Sequence, residues 1–409
     1  MQSSSTPRET DPVPAVQLFL NPTADSSAPY GDAGPPYLTL AAAAVAAREI
    51  SSWPGYHATP LREPDDLAAQ AGVNRVWYKD ESERFGLNSF KALGGAYGVL
   101  RVLQSVLSER LGGDGVSSAS LRQGRKADTV ADITVTCATD GNHGRSVAWA
   151  AQMFGCRAIV YIPQAASANR ERAIATHGAM VVRTDGDYDA AVRQADKEAR
   201  ANGWHVVSDT SYPGYEHVPV DVMQGYSILV SEILEQLPRA ERPTHVFIQA
   251  GVGGLAAAVC AHLWETLGSE RPVFVVVEPL AAACCLATAR AGRLTTVPNA
   301  HDTIMACLAA GEMSPVAWSV LKHGTDAFIA IADEYAERSM RMLAGLAHPI
   351  VAGESGAGGL AGLLAAMESD EVRSALELDA DSRVLLFGTE GATDPEIYER
   401  IVGRSPDSL

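Results

Sequence analysis

The stretch "ADITVTCATDGNHGRSVAWAAQMFGCRAIVYIP", residues 131 to 163, carries the pattern on which the fold of this chain turns. Its opening, "ADITVTCAT" (131 to 139), is a short β-branched run of the kind that forms a buried strand. "GNHGRSVAWAAQMFG" then spaces small and apolar side chains as a helix does and ends on a glycine. "RAIVYIP" (157 to 163) is a second strand. Strand, helix and strand in one span make a βαβ unit, whose strands run parallel.

The same alternation extends outward. "SANRERAIATHG" reads as a helix, "MVVRT" (180 to 184) as a strand, 187 to 202 as a helix and "WHVVSD" (204 to 209) as a strand. "THVFIQAG" (244 to 251), "PVFVVVEP" (272 to 279) and "SRVLLFGTEG" (382 to 391) continue it, and "RVWYKDES" (75 to 82) precedes a helix over 92 to 110. Short apolar strands alternating with helices imply an α/β fold of two three-layer α/β/α domains whose parallel sheets are covered on both faces. No repeat of 20 to 50 residues is evident.

At 409 residues the chain is long enough for roughly two to three domains. Residues 1 to 36, rich in Ser, Pro, Asp and Gly, read as a partly ordered arm, with "VQLFLNP" (16 to 22) the piece expected to dock. The large domain is expected from 37–93 and 191–409, and the small one from 94–190. Within the latter, "GGDGVSSASLRQGRKAD" (112 to 128) is polar and aperiodic and reads as a surface loop or insertion.

A formal net charge of −17 excludes a nucleic-acid partner, since phosphate backbones are bound by clustered Lys and Arg. The six cysteines show no CxxC pair and no histidine at ligand spacing, so no metal is expected. The N-terminus lacks an apolar signal core, and the longest apolar run, "LTLAAAAVAA" (38 to 47), is too short for a bilayer. A soluble cytoplasmic protein without membrane contact is expected.

In parallel sheets, ligands bind beyond the carboxyl ends of strands, where glycine-rich turns enter helices. Three turns fit: "TDGNHGR" (139 to 145), "GVGGL" (251 to 255) and "GTEGATD" (388 to 394). In "GVGGL" the glycines let backbone N–H groups approach an anion, helped by the helix dipole, and a single small phosphate suits it better than a nucleoside triphosphate. Each turn is equally readable as a tight strand-to-helix connection, and "GESGAGG" (353 to 359) as a helix start with an acidic cap at Glu354. "NSFKALGG" (88 to 95) adds one lysine among small and aromatic residues, either a snorkelling surface side chain or a nucleophilic amine.

Taken together and in order, these pieces resemble the fold type II, tryptophan-synthase-like pyridoxal phosphate enzymes, from about residue 56 to 398. Within that group, "KDESERFGLNSFKALGGAYGV", "ATDGNHGRSVAWAA", "GYEHVPVDVMQGY", "DTIMACLAAGE" and "GTEGATDPEIY" resemble the diaminopropionate ammonia-lyases. The resemblance implies pyridoxal 5'-phosphate as cofactor and α,β-elimination of ammonia from D- or L-2,3-diaminopropionate, a small cationic amino acid, in a homodimer. It places Lys91 as the residue that bonds to the cofactor aldehyde, kept desolvated by Phe90 and Ala92. Gly251, Val252, Gly253 and Gly254 would hold the phosphate, Asn142 the ring hydroxyl, and Thr389 would lie beside the ring nitrogen, with Glu354 also at the cofactor. Asp140, where related dehydratases carry serine, would take the α-proton of the D-substrate and Lys91 that of the L-form. Asp209 would meet the substrate amine, with Thr139, Gly141 and His143 around it.

Two other readings are open to the same residues: a serine or threonine dehydratase, or a biosynthetic β-eliminating or β-replacing enzyme, on this scaffold; and a cofactor-free binding or regulatory relative.

Overall fold

The computed structural model describes residues 15–112, 116–139, 141–186, 188–238 and 241–409. Among these described residues, eleven strands form two sheets: β1 Val16–Leu20, β2 Leu61–Arg62, β3 Arg75–Asp80, β4 Thr134–Ala138, β5 Arg157–Ile162, β6 Met180–Arg183, β7 His205–Val206, β8 His245–Gln249, β9 Val273–Pro279, β10 Ala327–Ile331 and β11 Arg383–Gly388. The larger sheet has the order β1-β10-β9-β8-β11-β3-β2 and the smaller one β6-β5-β4-β7. Every pairing in the smaller sheet is parallel, as are those joining β10 through β3 in the larger. Only the two edges, β1 on β10 and β2 on β3, are antiparallel.

The central strands are buried along most of their length because helices cover both faces. All five residues of β8 and all five of β10 are buried. On one face of the large sheet, the helix Gly358–Glu368 buries nine consecutive residues, Gly358 to Ala366. That contact needs glycine: a Cβ on Gly359 would lie 2.8 Å from the carbonyl oxygen of Phe247, and one on Gly362 would lie 2.5 Å from Val277. "VQLFLNP" docks as expected, its first five residues forming the edge strand β1.

Two sequence expectations need correction. The small sheet does not end at residue 190: the helix Tyr188–Asn202 runs through that position, and β7 pairs with β4 beyond it. The two-residue β7 is too short to signal which sheet it joins. The segment 112–128 is not simply a loop, since it holds the helix Ser118–Arg122, capped by the Ser117 side chain, and opens the helix Ala127–Ala131. Leu121 is buried and Ser118 Oγ donates to Glu49, so the segment is pinned to the helix Leu40–Ile50. Five-residue helices are too brief to show a 3.6-residue period. Strand β10, "AFIAI", lies inside the large sheet but was not read from the sequence.

Candidate active site

Lys91 opens the helix Lys91–Leu111, and the chain before it is clamped to the end of the large sheet. Phe90 N–H donates to the Thr389 carbonyl at 3.0 Å, Gly391 N–H to that of Asn88 at 3.0 Å, and Ser89 forms a β-bridge with Glu390. The lysine therefore projects from a rigid junction between β11 and the small domain. Its Nζ lies 5.3 Å from the Phe90 ring centroid and 6.0 Å from that of Tyr226, and it donates to Asp209 Oδ2.

Burial alone would push the Lys91 ammonium toward neutrality, but the Asp209 carboxylate more than offsets it and holds its pKa above the ordinary lysine value. Asp209 is held well below the usual carboxylate range: burial raises it, and Lys91 and then His143 outweigh that. Phe90 packs beside the amine, and Asp209 adds an ion pair with it that the sequence reading did not include.

His143, the second residue of the helix Asn142–Phe154, shares a 2.8 Å hydrogen bond between Nε2 and the Val207 carbonyl. A carbonyl only accepts, so Nε2 carries the hydrogen. Nδ1 then stands buried, 4.0 Å from Asp209 Oδ2 and without a hydrogen-bond partner among the described residues. Burial lowers the imidazole pKa. Thr139 Oγ1 accepts the N–H groups of Gly141 (2.9 Å) and Gly144 (3.2 Å) and so caps its own turn. Asp140 lies outside the described residues.

Asn142 Nδ2 donates to Glu390 Oε2 and lies 3.5 Å from Cys307 Sγ. Across the pocket, the turn after β8 leads into the helix Gly254–Leu267. Gly253 has φ +89°, which a side chain would strain, and a Cβ on Gly251 would come within 3.2 Å of the Cys307 carbonyl oxygen. Among the described residues, no backbone N–H of Gly251, Val252, Gly253 or Gly254 donates to a protein acceptor. Four unspent donors at a helix N-terminus are what a bound anion requires.

Thr389 Oγ1 accepts from Gln249 Nε2 at 3.0 Å, and Gln249 also donates to the carbonyl of Phe387 at 2.9 Å. Lys91, Phe90, Thr139, Gly141, Asn142, His143, Asp209, 251–254 and Thr389 line one pocket. Glu354 does not: it is buried behind that wall, and its neighbour Ser355 faces the pocket instead, accepting the Cys307 N–H at 3.1 Å. Nor does it cap a helix, since the helix begins at Gly358 after Ala357. Burial, then Glu390, raises its carboxyl pKa to about 7.

Gln249, Tyr226, Cys307 and Glu390 also line the pocket and were not singled out from the sequence, although the last three lie in strings that carried the resemblance. Beneath the turn 251–254, Glu278, Cys284 and Cys285 bring their donor atoms within 4.8 Å of one another. Glu278 accepts the N–H groups of Cys285 and Leu286, and both thiols point at the Gly251 carbonyl, so the cluster braces the turn from below.

The family model for pyridoxal-phosphate dependent enzymes matches residues 53–390. Diaminopropionate ammonia-lyase of Salmonella typhimurium is 40% identical over 365 residues, covering 86% of this chain and 90% of that protein. The holo diaminopropionate ammonia lyase from Escherichia coli superposes with a TM-score of 0.85 at 36% identity, covering 95% of this chain and 96% of that one. The same enzyme in complex with an aminoacrylate-PLP azomethine reaction intermediate superposes at 0.83 and 35% identity, with the same coverage.

Proposed function

From the premise that this chain belongs to the pyridoxal-phosphate dependent enzymes of fold type II and, within them, to the diaminopropionate ammonia-lyases, we propose that it converts 2,3-diaminopropionate and water to pyruvate and two molecules of ammonia. The observation that carries this reading is the pairing of Lys91 with Asp209 in a pocket whose far end is the unspent N–H cradle of 251–254.

The residues present fit the cofactor. The cradle would hold its phosphate, Asn142 its ring hydroxyl oxygen, the neutral Thr389 hydroxyl its ring nitrogen and Lys91 Nζ its aldehyde carbon. When bound, pyridoxal phosphate supplies the electron sink that acidifies the substrate α-C–H. A neutral partner at the ring nitrogen does not enforce its protonation, which favours prompt loss of a β-leaving group.

The protein's own part is proton handling and selection of charge. Asp209 is the group that meets a cationic substrate, and in binding it the carboxylate must give up Lys91. With that counter-charge withdrawn, burial lowers the lysine pKa, and Nζ becomes a base able to take the α-proton of the L-substrate. Asp140 serves the D-substrate. Asp209 would hold the β-amino group as its ammonium, which leaves as neutral ammonia with the C–N electron pair and needs no further proton, while His143, fixed on the Val207 carbonyl, keeps a neutral ring behind it.

Family membership also supports a homodimer, and six unpaired cysteines suit a reducing cytoplasm. Among the described residues, no helix is long and apolar enough to cross a membrane. Light scattering tests the oligomer. Pyruvate release from both enantiomers of diaminopropionate, against serine and threonine, tests the activity: preference for diaminopropionate is expected, and faster serine turnover overturns the substrate assignment.

A further inference from the structure

Glu390 is a buried pocket carboxylate with no ion-pair partner among the described residues. Its Oε2 accepts from Asn142 Nδ2 and, at 3.2 Å, from Thr393 Oγ1, with Cys307 Sγ at 3.5 Å. The side chain is boxed in by the turn before the helix Gly358–Glu368: a Cβ on Gly353 would lie 3.1 Å from Glu390 Oε1, and one on Gly356 would lie 2.3 Å from its carbonyl oxygen and 3.1 Å from its Cγ. Asn142 begins a small-domain helix, whereas Glu390 follows β11 of the large sheet, so the bond spans the two domains beside the pocket.

We propose that Glu390 is a positioning residue that fixes the polarity of the Asn142 amide, so that an N–H rather than the carbonyl faces the cofactor ring oxygen; this rests on the assignment of Asn142 to that oxygen. A carboxylate offers acceptors alone, so the Asn142 amide cannot turn over without setting Oδ1 against a negative charge. Its second N–H faces Cys307 Sγ, a weak acceptor, and is free for a stronger one. A fixed donor favours the deprotonated ring oxygen. A free amide could rotate, present Oδ1 and favour the protonated hydroxyl instead.

The test is a pH titration of cofactor absorbance, with cofactor Kd, in the holo wild-type protein and in Glu390→Ala and Glu390→Gln. In Glu390→Ala the amide is released, and the midpoint of the absorbance transition is expected to rise by about one pH unit as Kd weakens about tenfold. Glu390→Gln keeps the shape and can pair either way, so it should fall between the other two. A purely structural role would lower thermal stability and leave the midpoint in place. An unchanged midpoint in both variants overturns the inference while leaving the site assignment intact; a wild-type protein that takes up no pyridoxal phosphate overturns both.

Discussion

Lys91 Nζ donates to a carboxylate oxygen of Asp209, 118 residues further along the chain, and this bond joins the start of the helix Lys91–Leu111 to the loop that follows β7. A partly buried amine is thus paired as an ammonium, and withdrawing Asp209 lowers its pKa.

Asp209→Asn removes the anion and leaves Lys91 buried with burial as the largest influence on its pKa. Turnover of diaminopropionate is expected to fall by about 10²–10⁴, the usual worth of a positioned proton carrier. Cofactor uptake near neutral pH should be faster, because more of the amine is neutral. The stability difference from wild type should be greatest between about pH 4 and 10. Below that window the unfolded chain takes up a proton that the depressed Asp209 carboxyl refuses, and above it the unfolded lysine loses a proton that the raised Lys91 keeps, so on either side the contribution fades until the folded group titrates too. Stopped-flow reconstitution, pyruvate release and denaturation across pH check this, and unchanged turnover contradicts it.

Glu278 gives a pH dependence of opposite sense. Burial raises its carboxyl from 4.5 to about 7, despite two backbone N–H bonds that work the other way. Between those values the unfolded chain has released the proton while the folded one retains it, so stability falls as pH rises, by about 3 kcal/mol in total. Glu278→Gln lacks this titration. Denaturant unfolding of the two proteins at about pH 4 and pH 8 should show their stability difference changing by that amount. A constant difference would mean that the carboxyl titrates normally in the folded state.

Gly356→Ala should destabilise the fold by about 1–3 kcal/mol, the usual cost of overpacking, since its Cβ would meet the backbone of Glu390. Gly31→Ala is the control, because nothing lies within 4 Å of its Cβ. Denaturant midpoints distinguish them; equal shifts would mean that the turn yields without cost.

The alternation of β-branched runs with helices is sufficient for two parallel sheets, because a buried strand carries an aliphatic stretch, such as "FVVV" of β9, that stands out even where polar residues such as His245 and Gln249 sit at a strand's ends. What it could not assign was membership: β7 is two residues long, and whether it pairs with β4 or with the large sheet depends on contacts distant in sequence. Strand β10, "AFIAI", gives no strand signal of its own although it is wholly apolar, since a five-residue run with two alanines is equally a fragment of helix.

In the site, residues whose role follows from backbone shape were legible. Gly253 needs positive φ, and a glycine turn after a strand signals unspent N–H groups. Residues whose role comes from a partner across the cleft were not. Glu390, inside "GTEGATD", carries no signal in its own string, because its meaning is the Asn142 amide 248 residues away. Glu354 failed for the opposite reason: an acid before a glycine-rich helix looks like a cap, but the turn at 353–357 buries it behind the wall that Ser355 lines.

The central claim, a covalent bond between Lys91 and the aldehyde of pyridoxal phosphate, is tested most directly by borohydride reduction of the holo protein followed by peptide mapping. The account predicts one pyridoxyl-modified peptide, bearing the added mass on Lys91, and a Lys91→Ala protein that forms no such adduct and releases pyruvate at least about 10²-fold more slowly. A reduced protein with no modification at Lys91, or a Lys91→Ala protein that turns over diaminopropionate at the wild-type rate, would contradict it.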